Sequence, residues 1–449
     1  MTDKNIQSKF PLIAFSASIA VIVFVVGGIS GANNWPPFSY LMEGYEATKT
    51  LVDELTQERS SLLQERIYDG DGVVTHNDAE AYQGLTVLQG IFPGGPQLRL
   101  IDMDGNVLHT WPLDFFKIWP NPTHLLKDKI PRSPFDYHTQ GNLVLPDGSI
   151  IANLGYLGTV KMDKCGKVQW TVDRMTRHFV SPANDGNYWI GANRDIDDIP
   201  EELLFFDIER SFLKEGFQRY ENTVLLVSPE GEILDEFSVL KAYHDAGYEG
   251  HIFDAFKVDK TDLTHHNDVE EVTQALADKI EGVNRGDLLL SIRNMHMLVI
   301  LDKDSRAIKW TYSGSWTRQH DADITPNGNI IVFNNSRKNF GFRTIPGSSL
   351  IELDPATQQT RVVYPNEGQP GFFTDIFGTH QALPNGNILI SEGKAGRAFE
   401  INNQGNIVWD FVSPYDDTHA SLMEAAHRYD PDYFTVEDWH CDESTIQRK

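Results

Sequence analysis

One pattern recurs along this chain and limits its fold more than any other feature: an apolar strand, an Asp or Gly turn, and a second strand that often ends in an aromatic residue. Its copies are LRLIDMDGNVLHTW from Leu98, TVKMDKCGKVQW from Thr159, TVLLVSPEGEILDEF from Thr223, MLVILDKDSRAIKW from Met297, SLIELDPATQQTRVVY from Ser349 and RAFEINNQGNIVWDF from Arg397. Between them lies a second hairpin: NLVLPDGSIIANL from Asn142, SPANDGNYWIGANR from Ser181, DADITPNGNIIVFNN from Asp321 and QALPNGNILISEG from Gln381. Asn-Gly and Asp-Gly pairs mark tight hairpin turns because both positions need positive φ. Two hairpins alternating along the chain build four-stranded blades, and about six blades close into an all-β, six-bladed β-propeller over residues 76–429. The strand GLTVLQG at Gly84 is expected to close the ring against the C-terminal blade. A β-sandwich array is the competing architecture, disfavoured by the single period running through the domain.

Residues 1–10 precede an uncharged stretch, PLIAFSASIAVIVFVVGGISG, over 11–31, about the length that spans a hydrocarbon core. It reads as an N-terminal transmembrane helix. Lys4 and Lys9 precede it and acidic residues follow, so the N-terminus is expected in the cytoplasm and the propeller in the periplasm or outside the cell. Cleavage as a signal peptide near Ser30 is the other reading. In 32–75, Tyr45, Leu51, Val52, Leu55 and Leu62 recur at near-helical spacing, which predicts a short helical stalk up to about Arg66. That stalk either pairs with copies of itself, making a homo-oligomer, or lies against the propeller. Residues 430–449 form a C-terminal tail.

A formal charge of −26 without a basic patch argues against binding nucleic acid. The same charge sets a demand on any site for an anionic ester: local Arg and His must overcome the background. Cys165 and Cys441 are too few for a disulfide framework or a thiolate metal site, and leave one bridge open. No HExxH, Walker loop, GxGxxG or GxSxG sequence occurs. No cofactor or resident metal is expected.

The first strand of each propeller blade lines the central channel, and what precedes the inner turns is histidine. His138 lies nine residues before Asp147, His178 seven before Asp185, His320 seven before Asn327 and His380 five before Asn385. All separations are odd, so the four share one strand face unless a bulge intervenes. A fifth inner strand starts at His265-His266-Asn267-Asp268, followed by a helical insertion up to about Arg285. The returning strands bring Asn193-Arg194, Arg293-Asn294 and Asn334-Asn335 to the same rim. These are cationic and neutral donors with few carboxylates close in sequence, suited to an anionic, oxygen-rich group. A three-histidine zinc site, with Asp268 or Asp321 behind it, is the alternative.

The segments YQGLTVLQG, LRLIDMDGNVLHTW, HHNDVEEV, QHDADITPNGNIIVFNN, LPNGNILISEGKAGRAFEINNQGNIVWDFVSP and HRYDPDYF, in this order from Tyr82 to Tyr433, resemble the arylsulfotransferase family. The resemblance implies a periplasmic six-bladed propeller that moves a sulfuryl group from an aryl sulfate to a phenolic acceptor without a nucleotide donor. It also implies a transient sulfohistidine. By motif, His265 in HHND and His320 in QHDA match sulfate-site histidines, Asn335 falls near a polar family position, and His380 is the candidate nucleophile. His178, Arg194, Arg293, Asn294 and Arg337 complete the expected substrate contacts. One departure stands out. Where the family tends to place an arginine before the ELD strand, this chain has Gly347-Ser348-Ser349-Leu350, so Arg293, Arg337 or Arg343 would have to reach the same oxygens. Two readings compete with the enzyme: an inactive propeller serving as a membrane-anchored scaffold or ligand-binding module, and a quinone- or metal-dependent propeller enzyme.

Overall fold

Inner-hairpin glycines such as Gly328 (φ 77°) and Gly386 (φ 86°) adopt the left-handed backbone that their turns require. From these hairpins the computed structural model builds six antiparallel sheets; it describes residues 10–32, 40, 59–201, 210, 220–336 and 347–441. Blade 1 has its inner strand at Thr139–Val144, blade 2 at Met175–Pro182, blade 3 at His266–Glu271, blade 4 at His320–Ile324 and blade 5 at His380–Ala382. Blade 6 closes the ring as the sequence suggests: the C-terminal strand Leu422–Tyr429 pairs antiparallel with Leu85–Phe92, Leu85 opposite Tyr429.

The core is a ring of blade interfaces. Six buried apolar clusters are found among the described residues, one where each blade meets the next. The two middle strands of a blade must therefore be apolar on both faces, as in Leu288–Ile292 and Met297–Leu301, all of whose residues are buried. The aromatic residue ending an outer strand has its own task. The Trp111, Trp170 and Trp409 indole N–H groups donate to the carbonyls of Gly148, Pro229 and Met103, each in a turn of the next blade. Trp111 and Trp409 are buried and Trp170 half-buried, and each satisfies its one donor.

Residues 60–76 belong to the propeller body. Gly72–His76 adds a fifth strand to blade 5 by pairing with Ile407–Val412, and Arg66 N–H donates to Thr418 O. The compact unit runs from Ser60, not 76. Residues 59–71 form turns rather than the end of a helical stalk; most of the predicted stalk lies outside the described residues. The tail from 430 is tied down by the disulfide Cys165–Cys441 and by Trp439 against Trp111 and His109.

Phe10–Ala32 forms a 23-residue helix with no charged residue. Phe15, Val21, Phe24 and Val26 are exposed on it. Among the described residues no helix is long and apolar enough to cross a membrane, and here the described side chains run unbroken only over 18–31. The expected transmembrane span is therefore not shown by the structure.

Candidate active site in the central channel

Inner strands of five blades, with the segment Phe377–Thr379 just before the inner strand of blade 5, line a central cavity of about 440 Å³. Its walls do not follow the simple alternation assumed from sequence, because the inner strands are bulged. The pairing of blade 2 slips between Ile190 and Gly191, that of blade 3 between His266 and Asp268, and that of blade 4 between His320 and Ala322. His178, in the middle of the inner strand of blade 2, and Asp321 in blade 4 sit within these slips at φ 57° and 50°, and His265, just before blade 3, at φ 48°. Left-handed backbone costs a non-glycine residue roughly 1–2 kcal/mol, and here it re-aims side chains into the channel. Odd spacing from the turn therefore does not set which histidines meet.

His178, His265 and His320 do meet. His178 Nε2 is 3.2 Å from His265 Nε2, and the rings of His178 and His320 stand 6.3 Å apart between centroids. His178 and His320 line the cavity. Beneath them is Arg177, which the sequence reasoning missed although it adjoins His178. Its Nη2 donates toward His178 Nε2 at 2.6 Å and His265 Nε2 at 3.0 Å. Its Nη1 pairs with Asp262 Oδ2 at 2.5 Å, and the guanidinium lies over the Tyr156 ring. Asp262 follows a helical excursion, Val239–Asp245 and Glu249–Val258, for which the repeat gives no precedent. Burial raises its pKa, but Arg177 and His265 outweigh this and hold it well below the usual carboxylate range. Ionised, Asp262 accepts from His265 Nδ1 at 2.7 Å, leaving the Nε2 lone pair of a neutral His265 facing its neighbours.

The tautomer of His320 follows from its partner. Asn335 Nδ2 donates to Thr374 O at 3.2 Å and to Phe377 O at 2.7 Å, so its Oδ1 faces His320 Nδ1 at 2.6 Å and must accept. Nδ1 carries the proton and Nε2 is bare. Burial lowers the pKa of His320 to about 4, and burial with Arg177 does the same to His265; His178 is pushed well below 6.5. All three imidazoles are neutral near pH 7.

His380 stands apart. Its side chain is 1% exposed, with Nδ1 2.8 Å from Asp321 Oδ2 and Nε2 3.5 Å from Asp323 Oδ2. Burial works against its charge, but these carboxylates win and raise its pKa to about 9. An imidazolium has no lone pair to attack with, so this geometry disfavours His380 as nucleophile. Arg194 sits in a separate rim pocket, paired with Glu236 at 3.1 Å and Glu221 at 3.4 Å. Arg293 and Asn294 are buried behind His265: Arg293 N–H donates to His265 O, its guanidinium to Asn294 Oδ1, and Asn294 Nδ2 to Asp262 O. They brace the loop rather than line the cavity. Arg337 and Arg343 lie outside the described residues. In place of the family arginine, Ser348 Oγ donates to the backbone, with Asn335 O and Thr374 O each at 3.0 Å.

The expectation of few carboxylates is overturned. Asp268, Glu270, Asp321, Asp323 and Glu424 all line the cavity. Part of their work is structural: Asp268 accepts from Ala322 N–H and Glu270 from Ile324 N–H, both at 2.8 Å, and Asp321 accepts from His380 N–H. Inner strands of neighbouring blades do not pair, so these side chains stand in for sheet hydrogen bonds.

Fold and site together define a six-bladed propeller with a neutral histidine cluster at a channel cavity. A family profile described as Arylsulfotransferase (ASST) matches residues 141–414, and the chain belongs to that family. No curated protein matches the chain. Among solved structures it is similar to a protein of unknown function from Bacteroides caccae: 12% identity, 76% of this chain and 98% of the other, TM-score 0.47. It is also similar to a virginiamycin B lyase from Staphylococcus aureus (8%, 79% and 89%, TM-score 0.40). A third is the Pan2 WD40 domain from Neurospora crassa (10%, 74% and 76%, TM-score 0.38).

Proposed function

We propose that the protein transfers a sulfuryl group from an aryl sulfate to a phenolic acceptor through a sulfohistidine on His320. The observation that carries this reading is the Asn335–His320 pair, which leaves a neutral imidazole with Nε2 bare in a cavity wall. In the first step Nε2 attacks sulfur, the N–S bond forms and the S–O(aryl) bond breaks, releasing a phenolate. In the second, the acceptor phenol oxygen attacks sulfur, the N–S bond breaks and His320 is regenerated. The proton lost by the acceptor balances the one taken up by the departing phenolate. His178, whose Nε2 accepts from Arg177, keeps its proton on Nδ1 as the donor to offer the sulfuryl oxygens, and the Arg177–Asp262 pair holds His265 beside it.

The test uses full-length protein purified in detergent, a nitrophenyl sulfate donor and phenol. Nitrophenolate release that depends on phenol, with a sulfuryl adduct on the His320 peptide in mass spectrometry, is the expected result. No turnover across several donors and acceptors refutes the reading.

The uncharged helix Phe10–Ala32 behind Lys4 and Lys9 supports a membrane anchor with the N-terminus in the cytoplasm and the propeller outside. The Cys165–Cys441 disulfide supports an oxidising compartment such as the periplasm. Retention in membranes after alkaline extraction, with the propeller open to external protease, checks the topology.

A further inference from the structure

We propose that the channel wall beside the histidine cluster binds one divalent cation through Asp321, Asp323 and His380. One donor atom from each lies within 4.8 Å of the others. Ligands at about 2.0–2.2 Å from an ion stand no more than roughly 4.4 Å apart, so the group closes on an ion with a small movement. The bulge at Asp321 and the start of the next inner strand at His380 create this convergence, drawing ligands from two blades.

The surrounding groups are ones that an ion displacing the His380 proton would engage. The His380 side chain is 1% exposed and turns both ring nitrogens to the two carboxylates, Nδ1 2.8 Å from Asp321 Oδ2 and Nε2 3.5 Å from Asp323 Oδ2. Elsewhere on the cavity lining, Glu424 Oε1, Asn267 Oδ1 and Asn142 Oδ1 are buried without a donor, and Gln89 Nε2 without an acceptor. Buried acceptors lacking donors are costly unless a cation or a donor-bearing ligand satisfies them. The bland role of the carboxylates, bridging inner strands, accounts for Asp268, Glu270 and one oxygen of Asp321. Asp323 takes no part in that scheme.

Two carboxylates and one imidazole favour Mn²⁺ or Zn²⁺ over Ca²⁺ and Mg²⁺, which prefer all-oxygen shells. A divalent ion displaces the His380 proton and so brings one more positive charge to Asp321 and Asp323 than the imidazolium does, which lessens the wall's repulsion of an anionic ester held at the neighbouring histidines. The proposal does not rest on sulfuryl transfer, because binding is read directly.

Full-length protein stripped with EDTA is titrated separately with Mn²⁺, Zn²⁺, Ca²⁺ and Mg²⁺ by calorimetry, and its metal content is measured after gel filtration. One equivalent of Mn²⁺ or Zn²⁺ is expected to be retained. Asp323→Asn and His380→Gln should each weaken binding at least about tenfold. Glu367→Gln, an exposed carboxylate elsewhere, should bind as the native chain does. Absence of stoichiometric uptake by the native chain overturns the proposal. So does uptake unchanged in Asp323→Asn, which would mark binding by the acidic surface at large. Should His380→Gln not fold, the native titration and Asp323→Asn, whose side chain is 33% exposed, decide the matter.

Discussion

Asp262→Asn is the sharpest probe of how the histidine cluster is held. Arg177 and Asp262 are both buried, with side chains 1% and 5% exposed, and they pair at 2.5 Å. The substitution keeps shape and removes the negative charge, leaving the guanidinium buried without its counter-ion. Breaking a buried pair from one side costs about 3–5 kcal/mol. The propeller unit, Ser60–Lys449, has roughly 400 residues, and at about 2.1 cal/mol/K per residue its unfolding entropy is about 0.8 kcal/mol/K. The melting temperature should therefore fall by about 4–6 °C. His265 also loses the acceptor that fixes its proton on Nδ1, so sulfuryl transfer should fall even at temperatures where the variant is folded. Replacing both partners with apolar residues, Arg177→Met with Asp262→Leu, should recover much of the stability without restoring activity. Thermal unfolding by circular dichroism and donor turnover measure the two effects. A single variant that melts within about 1 °C of the native chain would falsify the assignment of this pair as a buried, mutually dependent ion pair.

Other expectations follow from the same geometry. His320→Ala should reduce transfer by about 10³-fold or more, while Asn335→Leu, which frees the tautomer and strands the Thr374 and Phe377 carbonyls but keeps the nucleophile, should cost less; kcat comparison under saturating donor separates them. Because burial holds His265 and His320 near 4, the acid limb of kcat/KM should lie at about pH 4–5 rather than at the ordinary 6.5. Stability follows with its own signs. Lowered histidine pKa values mean the unfolded chain binds more protons between about 4 and 6.5, so stability rises with pH there. In the metal-free protein the raised His380, near 9, contributes stability that is present below about 6.5 and lost as pH rises through 9. Denaturant melts across pH read both. Reduction of Cys165–Cys441, which are 276 residues apart in sequence, should cost about 2–4 kcal/mol and expose the tail from 430 to protease first. Trp409→Phe should cost about 1–3 kcal/mol by stranding the Met103 carbonyl, measured by urea melts.

Much of this molecule is written in local pattern. Asn-Gly and Asp-Gly turns fix hairpins because positive φ is available to few residues. The alternation of two hairpin types fixes blade order, and apolar runs such as Met297–Leu301 mark strands buried on both faces. His320 with Asn335 was also legible, since one hairpin brings the ends of its strands together. The channel was not. Which side chains face it depends on bulges at His178 and Asp321, whose cost is met by contacts between blades and leaves no composition signal. Arg177, Asp262 and the carboxylates of blades 3 and 4 became neighbours only when the ring closed, drawing in a residue that follows a helical excursion outside the repeat. Periodicity along a strand is a property of the chain; the charge balance of an axial cavity belongs to six strands at once, and only tertiary structure sets it.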